Sequence, residues 1–132
     1  MNIVFQEGEV RMIVVRQGYY KEMPHGEETD PSIKDYIGKK IENKKEVCDY
    51  LNKGIVLAAC GQVVTDVIHP EKGIAGTPDD MTDGKWLWPG DLAYYVENYD
   101  LQLPNEFIEY MKEKEWKVPD NLDIDFDELE VR

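Results

Sequence analysis

Three groups of residues in this chain have types and spacings that can do chemistry. The first is Asp79-Asp80 with Asp83, in the polar stretch HPEKGIAGTPDDMTD at 69–83. Neighbouring carboxylates can hold a hard cation or act as a general acid and base, although loop aspartates also cap turns and helices. The second is the C-terminal NLDIDFDELEVR, which alternates Leu122, Ile124 and Phe126 with Asp123, Asp125 and Asp127. As a strand it would set three carboxylates on one face, roughly 6.8 Å apart. The D-x-D-x-D spacing opens an EF-hand loop, but Glu128 stands where that loop requires glycine. The segment therefore reads as a charged edge strand, as an acidic face for a basic protein, or as a disordered tail. The regular Leu, Ile and Phe argue against full disorder.

The third group is His25 and His69 with Cys48 and Cys60. No H-x-x-x-H is present, and the cysteines stand twelve apart, so nothing has zinc spacing. A Cys–His nucleophile is formally available. Cys48 falls on the expected buried face of a helix and Cys60 at the end of an apolar strand, which makes both inert. The glycines spell neither G-x-G-x-x-G nor a P-loop, and GIAGTPDD has no lysine in the needed place. No catalytic residue, metal or cofactor is assigned.

Charge and length limit what these groups can serve. The 132 residues carry a formal charge of −13, with 42% hydrophobic and 33% charged residues, as expected for one folded domain. Residues 1–66 hold 11 acids against 9 bases, and residues 67–132 hold 17 against 6. That field repels nucleic acid, whose binding needs clustered Lys and Arg, and it speeds encounter with a basic partner. The longest apolar run, Ile55 to Cys60, is far short of a membrane span. MNIVFQEGEVR lacks a signal-peptide core. With two cysteines read as reduced and mostly buried, the expected location is the cytoplasm.

The elements that would position these groups follow from periodicity and punctuation. Ile3 to Phe5 and Val10 to Arg16 read as strands around a turn at Gln6 to Glu9. Arg16 to Pro31 reads as a long loop. Asp30-Pro31 has the form of a helix start, with Ile33, Tyr36 and Ile37 following. Asn43 and Glu46 have capping-box spacing ahead of a helix with Val47, Cys48 and Leu51 inside, ended by Gly54. Ile55–Cys60 reads as a buried strand, turning at Gly61-Gln62 into Val63–Ile68.

Trp86-Leu87-Trp88 has strand period, so both indoles face one way. Pro89 stops it and opens a helix with Leu92, Tyr95, Val96 and Tyr99 on one stripe and Tyr94 off it. Pro104 opens another with Phe107, Ile108 and Met111 inside, and Trp116 and Pro119 near its end. Eight of the fourteen aromatics lie between Trp86 and Trp116. They read as core, because an aromatic stacking platform for nucleic acid comes with a basic groove and only Lys85 lies nearby; a neutral sugar is not excluded by charge.

DGKWLWPGDLAYYVENYDLQLPNEF, from Asp83 to Phe107, resembles an uncharacterised small bacterial protein family carrying DG-x-W-x-WP, LAYYV and LP-x-EF. The likeness extends to MIVVRQGYY, PSIKDYI and VLAACGQVVTDVI. No catalytic residues are assigned in that family, so the resemblance implies no chemistry. A looser resemblance, in size and acidity, is to the immunity proteins of bacterial toxin systems.

The expected fold is α+β: an antiparallel sheet of four to six strands with three or four short helices on one face. Residues 1–119 form one domain, and 120–132 an acidic strand or tail. The expected function is that of a non-enzymatic binding protein, an immunity-type inhibitor that meets a basic toxin through Asp123, Asp125, Asp127, Glu128 and Tyr94. The alternative is an enzyme or ligand-binding domain with a pocket near 69–83 that uses Asp79, Asp80 or Asp83.

Overall fold

The computed structural model describes residues 2–5 and 9–132. Of the turn expected at Gln6 to Glu9, residues 6–8 lie outside the described residues. The strands are β1 (Asn2–Phe5), β2 (Glu9–Arg16), β3 (Ile55–Ala58), β4 (Val64–Thr65), β5 (Ile74–Gly76), β6 (Asp80–Thr82), β7 (Trp86–Pro89) and β8 (Leu129–Val131). The helices are α1 (Lys44–Asn52), α2 (Leu92–Tyr99) and α3 (Asn105–Glu113). No helix among the described residues is long and apolar enough to cross a membrane.

The class is α+β, as expected, but the sheet is mixed rather than antiparallel throughout. Its order is β1-β2-β7-β6-β3, with β8 also on β2, while β4 and β5 form a separate pair. β2 runs antiparallel to β1 and parallel to both β7 and β8. Alternate peptide groups of a strand point to opposite edges, and β2 uses both. Val15 N and Gln17 N donate to Lys85 and Leu87 carbonyls, whereas Val14 O and Arg16 N bond to Arg132. A parallel neighbour needs a long connection and leaves no local turn signal, so sequence patterning suggested only hairpins.

The sheet divides two apolar clusters. On the face of Trp86 and Trp88, the helices bury Val47, Tyr50, Leu92, Tyr95, Phe107 and Met111. Leu87 faces the other way, with Met12, Val14 and Tyr19. The strand period read at Trp86-Leu87-Trp88 is therefore realised, and Pro89 and Pro104 precede helices as expected.

Three local expectations are corrected. β3 pairs with β6, not with a returning hairpin strand, because Asp79 draws the chain away: its Oδ1 accepts from Cys60 N at 2.7 Å. β3 is also half-exposed, with Val56 49% accessible, since it is the edge of the sheet. At Asp30-Pro31 no helix starts. A short 3-10 turn, Ile33–Asp35, is capped by Ser32 instead, and Asp30 binds Arg16 through both oxygens at 2.7 and 2.8 Å. At Asn43 the capping-box residues do meet, but Asn43 Nδ2 donates to Glu46 Oε2 at 3.0 Å and its side chain accepts no backbone N–H.

Candidate functional site

The C-terminal segment is built by a change of period. Leu122 and Ile124 point inward: Leu122 lies against Gly84, and Ile124 joins Met12, Val14, Tyr19 and Leu87. Asp123, Asp125 and Asp127 are exposed. A turn then interrupts the alternation. Glu128 N donates to Asp125 O at 3.1 Å, and Asp127 N to Asp125 Oδ1 at 3.0 Å. The turn throws Phe126 outward, 63% accessible, where an extended strand would have buried it.

Residues 122–127 thus form no strand, and pairing begins only at β8, Leu129–Val131. The result is an exposed phenyl ring flanked by exposed carboxylates. Among the described residues no lysine or arginine lies within ion-pair distance of Asp123, Asp125 or Asp127. Glu128 is half-buried. Tyr94 is placed elsewhere. Half-buried on α2, it donates to Asp66 Oδ2 at 2.7 Å, and its ring meets Tyr95 and Tyr99 rather than the tail.

The aspartates near 69–83 diverge. Asp79 lines an open cleft of about 410 Å³ with Val56, Thr77, Tyr94 and Glu97. Asp80 accepts from the Tyr19 hydroxyl at 2.6 Å. Asp83 is buried and accepts from the Tyr50 hydroxyl at 2.5 Å and from Lys85 N and Trp86 N. Burial first, and then the bonded carboxylates, push the Tyr19 and Tyr50 phenols far above their ordinary range, so both remain protonated donors. Asp83 thereby shapes the turn that feeds β7. No group of three or more His, Cys, Asp or Glu side chains among the described residues could hold a metal ion.

The remaining candidates are also dispersed. His69 lies 3.1 Å from Glu71 and stacks on Tyr99. Cys48 is buried against the Ala93 carbonyl at 3.8 Å, and burial pushes its thiol up. Cys60 is exposed, which corrects the expectation of a buried thiol, because β3 ends at Ala58 and the chain turns out to meet Asp79. Tyr94 and Tyr99 both donate to Asp66 Oδ2, while Ile68 N and His69 N donate to Oδ1. Burial raises the Asp66 carboxyl, but these bonds outweigh it and hold it below its ordinary value.

Two groupings join residues too far apart in sequence for any motif. His25 Nε2 sits 3.1 Å from Asp91 Oδ1, with Asp91 1% accessible. Arg16 forks onto Asp30 and lies 4.1 Å over the Tyr19 ring. The Arg16 hydrogen bond is the largest influence on Asp30 and holds its carboxyl below the ordinary value, against burial. A depressed folded value means that the stabilisation is present above the unfolded pKa, about 3.9, and is lost as pH falls through the folded one. Asp30→Ala therefore costs about 1.5–2 kcal/mol at pH 7, the lower part of the range for bonds to charged groups. Urea unfolding at pH 7 and pH 3 checks this: the gap to the parent protein narrows at the lower pH.

No protein-family model, curated protein or solved structure matches the chain.

Proposed function

We propose that the protein is a non-enzymatic binding protein of the immunity type, which docks on a basic surface of a toxin through residues 120–127. The observation that carries this reading is Phe126, exposed between Asp125 and Asp127 with no cation paired to either carboxylate or to Asp123 among the described residues. An exposed aromatic ring is an anchor that gains by being desolvated at the centre of an interface. Carboxylates around it steer a cationic partner and make the association rate sensitive to salt. The chain's excess of acid in its second half acts in the same direction. The resemblance at Asp83–Phe107 adds the bacterial context.

The test is stopped-flow binding to a secreted basic protein encoded beside the gene. Replacing Asp123, Asp125 and Asp127 together by asparagine lowers the association rate by about tenfold to a hundredfold at low salt, the scale of electrostatic steering, and flattens its salt dependence. Phe126→Ala chiefly raises the dissociation rate, by roughly tenfold for an anchor worth more than 1 kcal/mol. Unchanged rates in both variants would remove this surface from the interaction.

A further inference from the structure

A second concave surface lies apart from the acidic segment. It is a cleft of about 530 Å³ between residues 16–20, residues 30–36 and the approach to α3, a volume typical of small-molecule sites. Its shape depends on Gly18. This residue has φ +79°, and a Cβ there would fall 2.6 Å from Leu92 Cδ2, so the chain bends under the cleft only with glycine. Tyr36 is fixed on the opposite wall by its carbonyl, which accepts from Gln102 N at 2.8 Å.

The polar groups in the cleft are neutral or neutralised. The Arg16 fork is closed on both oxygens of Asp30. An anion or an ammonium group would have to break that pair to find a counter-charge. Tyr20 is 4% accessible, and among the described residues no protein group bonds its hydroxyl; burial raises the phenol and keeps it uncharged. The side-chain amide of Gln17 is shut from water and so is out of reach of a solute in the cleft as well. Asn105, the first residue of α3, adds an amide to the lining.

Tyr36 presents its ring at the rim, 44% accessible. Its plane is tilted 50° from that of Tyr20, with the centroids 6.2 Å apart. Tilted rings form no parallel slot for a flat heterocycle. One open ring face does suit the C–H face of a sugar, and the Asn105 amide and Tyr20 phenol suit hydroxyls, which donate and accept at once.

We propose that this cleft binds an uncharged saccharide, with its ring against Tyr36 and its hydroxyls bonded by Tyr20 and Asn105. The inference is independent of the acidic segment and of any toxin. It is tested on the full chain by calorimetry and by thermal unfolding with glucose, galactose, mannose, N-acetylglucosamine and maltose, with adenosine and inorganic phosphate as comparators. At least one sugar binds and raises the melting temperature, as a ligand of the native state must. Tyr36→Ala alters an exposed side chain and leaves the melting temperature of the free protein nearly unchanged. It weakens the sugar about tenfold, the factor that 1.4 kcal/mol represents, and Asn105→Ala weakens it severalfold. Failure of every sugar to bind, sugar binding undiminished in both variants, or binding of adenosine or phosphate in place of the sugars would each overturn the proposal.

Discussion

Replacing His25 by alanine lowers the unfolding free energy by about 1–3 kcal/mol, the cost of leaving a buried polar group without a polar neighbour. Asp91 is almost wholly buried, directly before α2, and its side chain caps no helix N–H. Neither of its oxygens makes a hydrogen bond. The imidazole lies 3.1 Å from Oδ1 without hydrogen-bond alignment, so it covers the carboxylate with a polar ring edge rather than through a well-formed bond. Part of the loss is packing, since His25 also meets the Tyr19 ring edge-on at 6.1 Å.

A double-mutant cycle separates the two contributions. Adding Asp91→Asn to the His25→Ala protein removes the stranded charge and recovers most of the loss in urea unfolding. If His25→Ala/Asp91→Asn is as unstable as His25→Ala alone, the pair carries no coupling and the cost is packing. The contact also has a dynamic consequence. It ties the loop after β2, which walls the cleft at Tyr19 and Tyr20, to the start of α2. Amide exchange over residues 17–27 therefore quickens in the His25→Ala protein, while exchange in β7 follows global stability.

What the sequence showed of this fold was what is decided locally. Pro89 and Pro104 mark helix entries because a missing N–H and a preset φ act on their own residue. The Trp86-Leu87-Trp88 period needs only a strand, whichever strand it pairs with. Leu122 and Ile124 point in and Asp123 and Asp125 out, although no ladder forms there, because extended chain alternates with or without a partner.

The readings that failed depend on a distant residue. Asp30 has the look of an N-cap, but Arg16, 14 residues earlier, offers a charged fork in place of a backbone N–H. Gly61-Gln62 has hairpin chemistry, yet Asp79 holds Cys60 N and β6 takes the edge of β3. Phe126 shares the parity of Leu122 and Ile124, and one Asp125-centred turn reverses its direction. His25 and Asp91 are separated by 65 intervening residues, so no spacing rule connects them. The acidic segment was thus legible as composition, whereas its anchor ring, the cleft and the buried pair required the tertiary structure.

Trp88→Ala is expected to cost about 3–5 kcal/mol, the upper range for deleting a core side chain, and so to consume much of the roughly 5–15 kcal/mol that holds a domain of this kind folded. Trp88 is inaccessible to solvent. Its ring lies 5.3 Å from Phe107 and 6.0 Å from Tyr50, and Nε1 donates to Leu51 O at 3.1 Å. The indole therefore joins β7 to α1 and α3, and its removal leaves a cavity and takes one hydrogen bond from Leu51 O, which Gly54 N still reaches at 3.4 Å.

Gly54 provides the internal check. A Cβ there would fall 2.5 Å from Trp88 Cζ2, and its backbone lies outside the left-handed region, so space rather than conformation requires glycine. Gly54→Ala is destabilising in the parent protein, by about 1–3 kcal/mol as overpacking. In the Trp88→Ala background the obstructing ring is gone, and the same substitution costs less, with Met81 Cβ 3.1 Å away still to give and lower unfolded-state entropy in its favour. Urea unfolding of the four proteins reads the difference directly. Equal costs of Gly54→Ala in both backgrounds would mean that the indole does not fill that space.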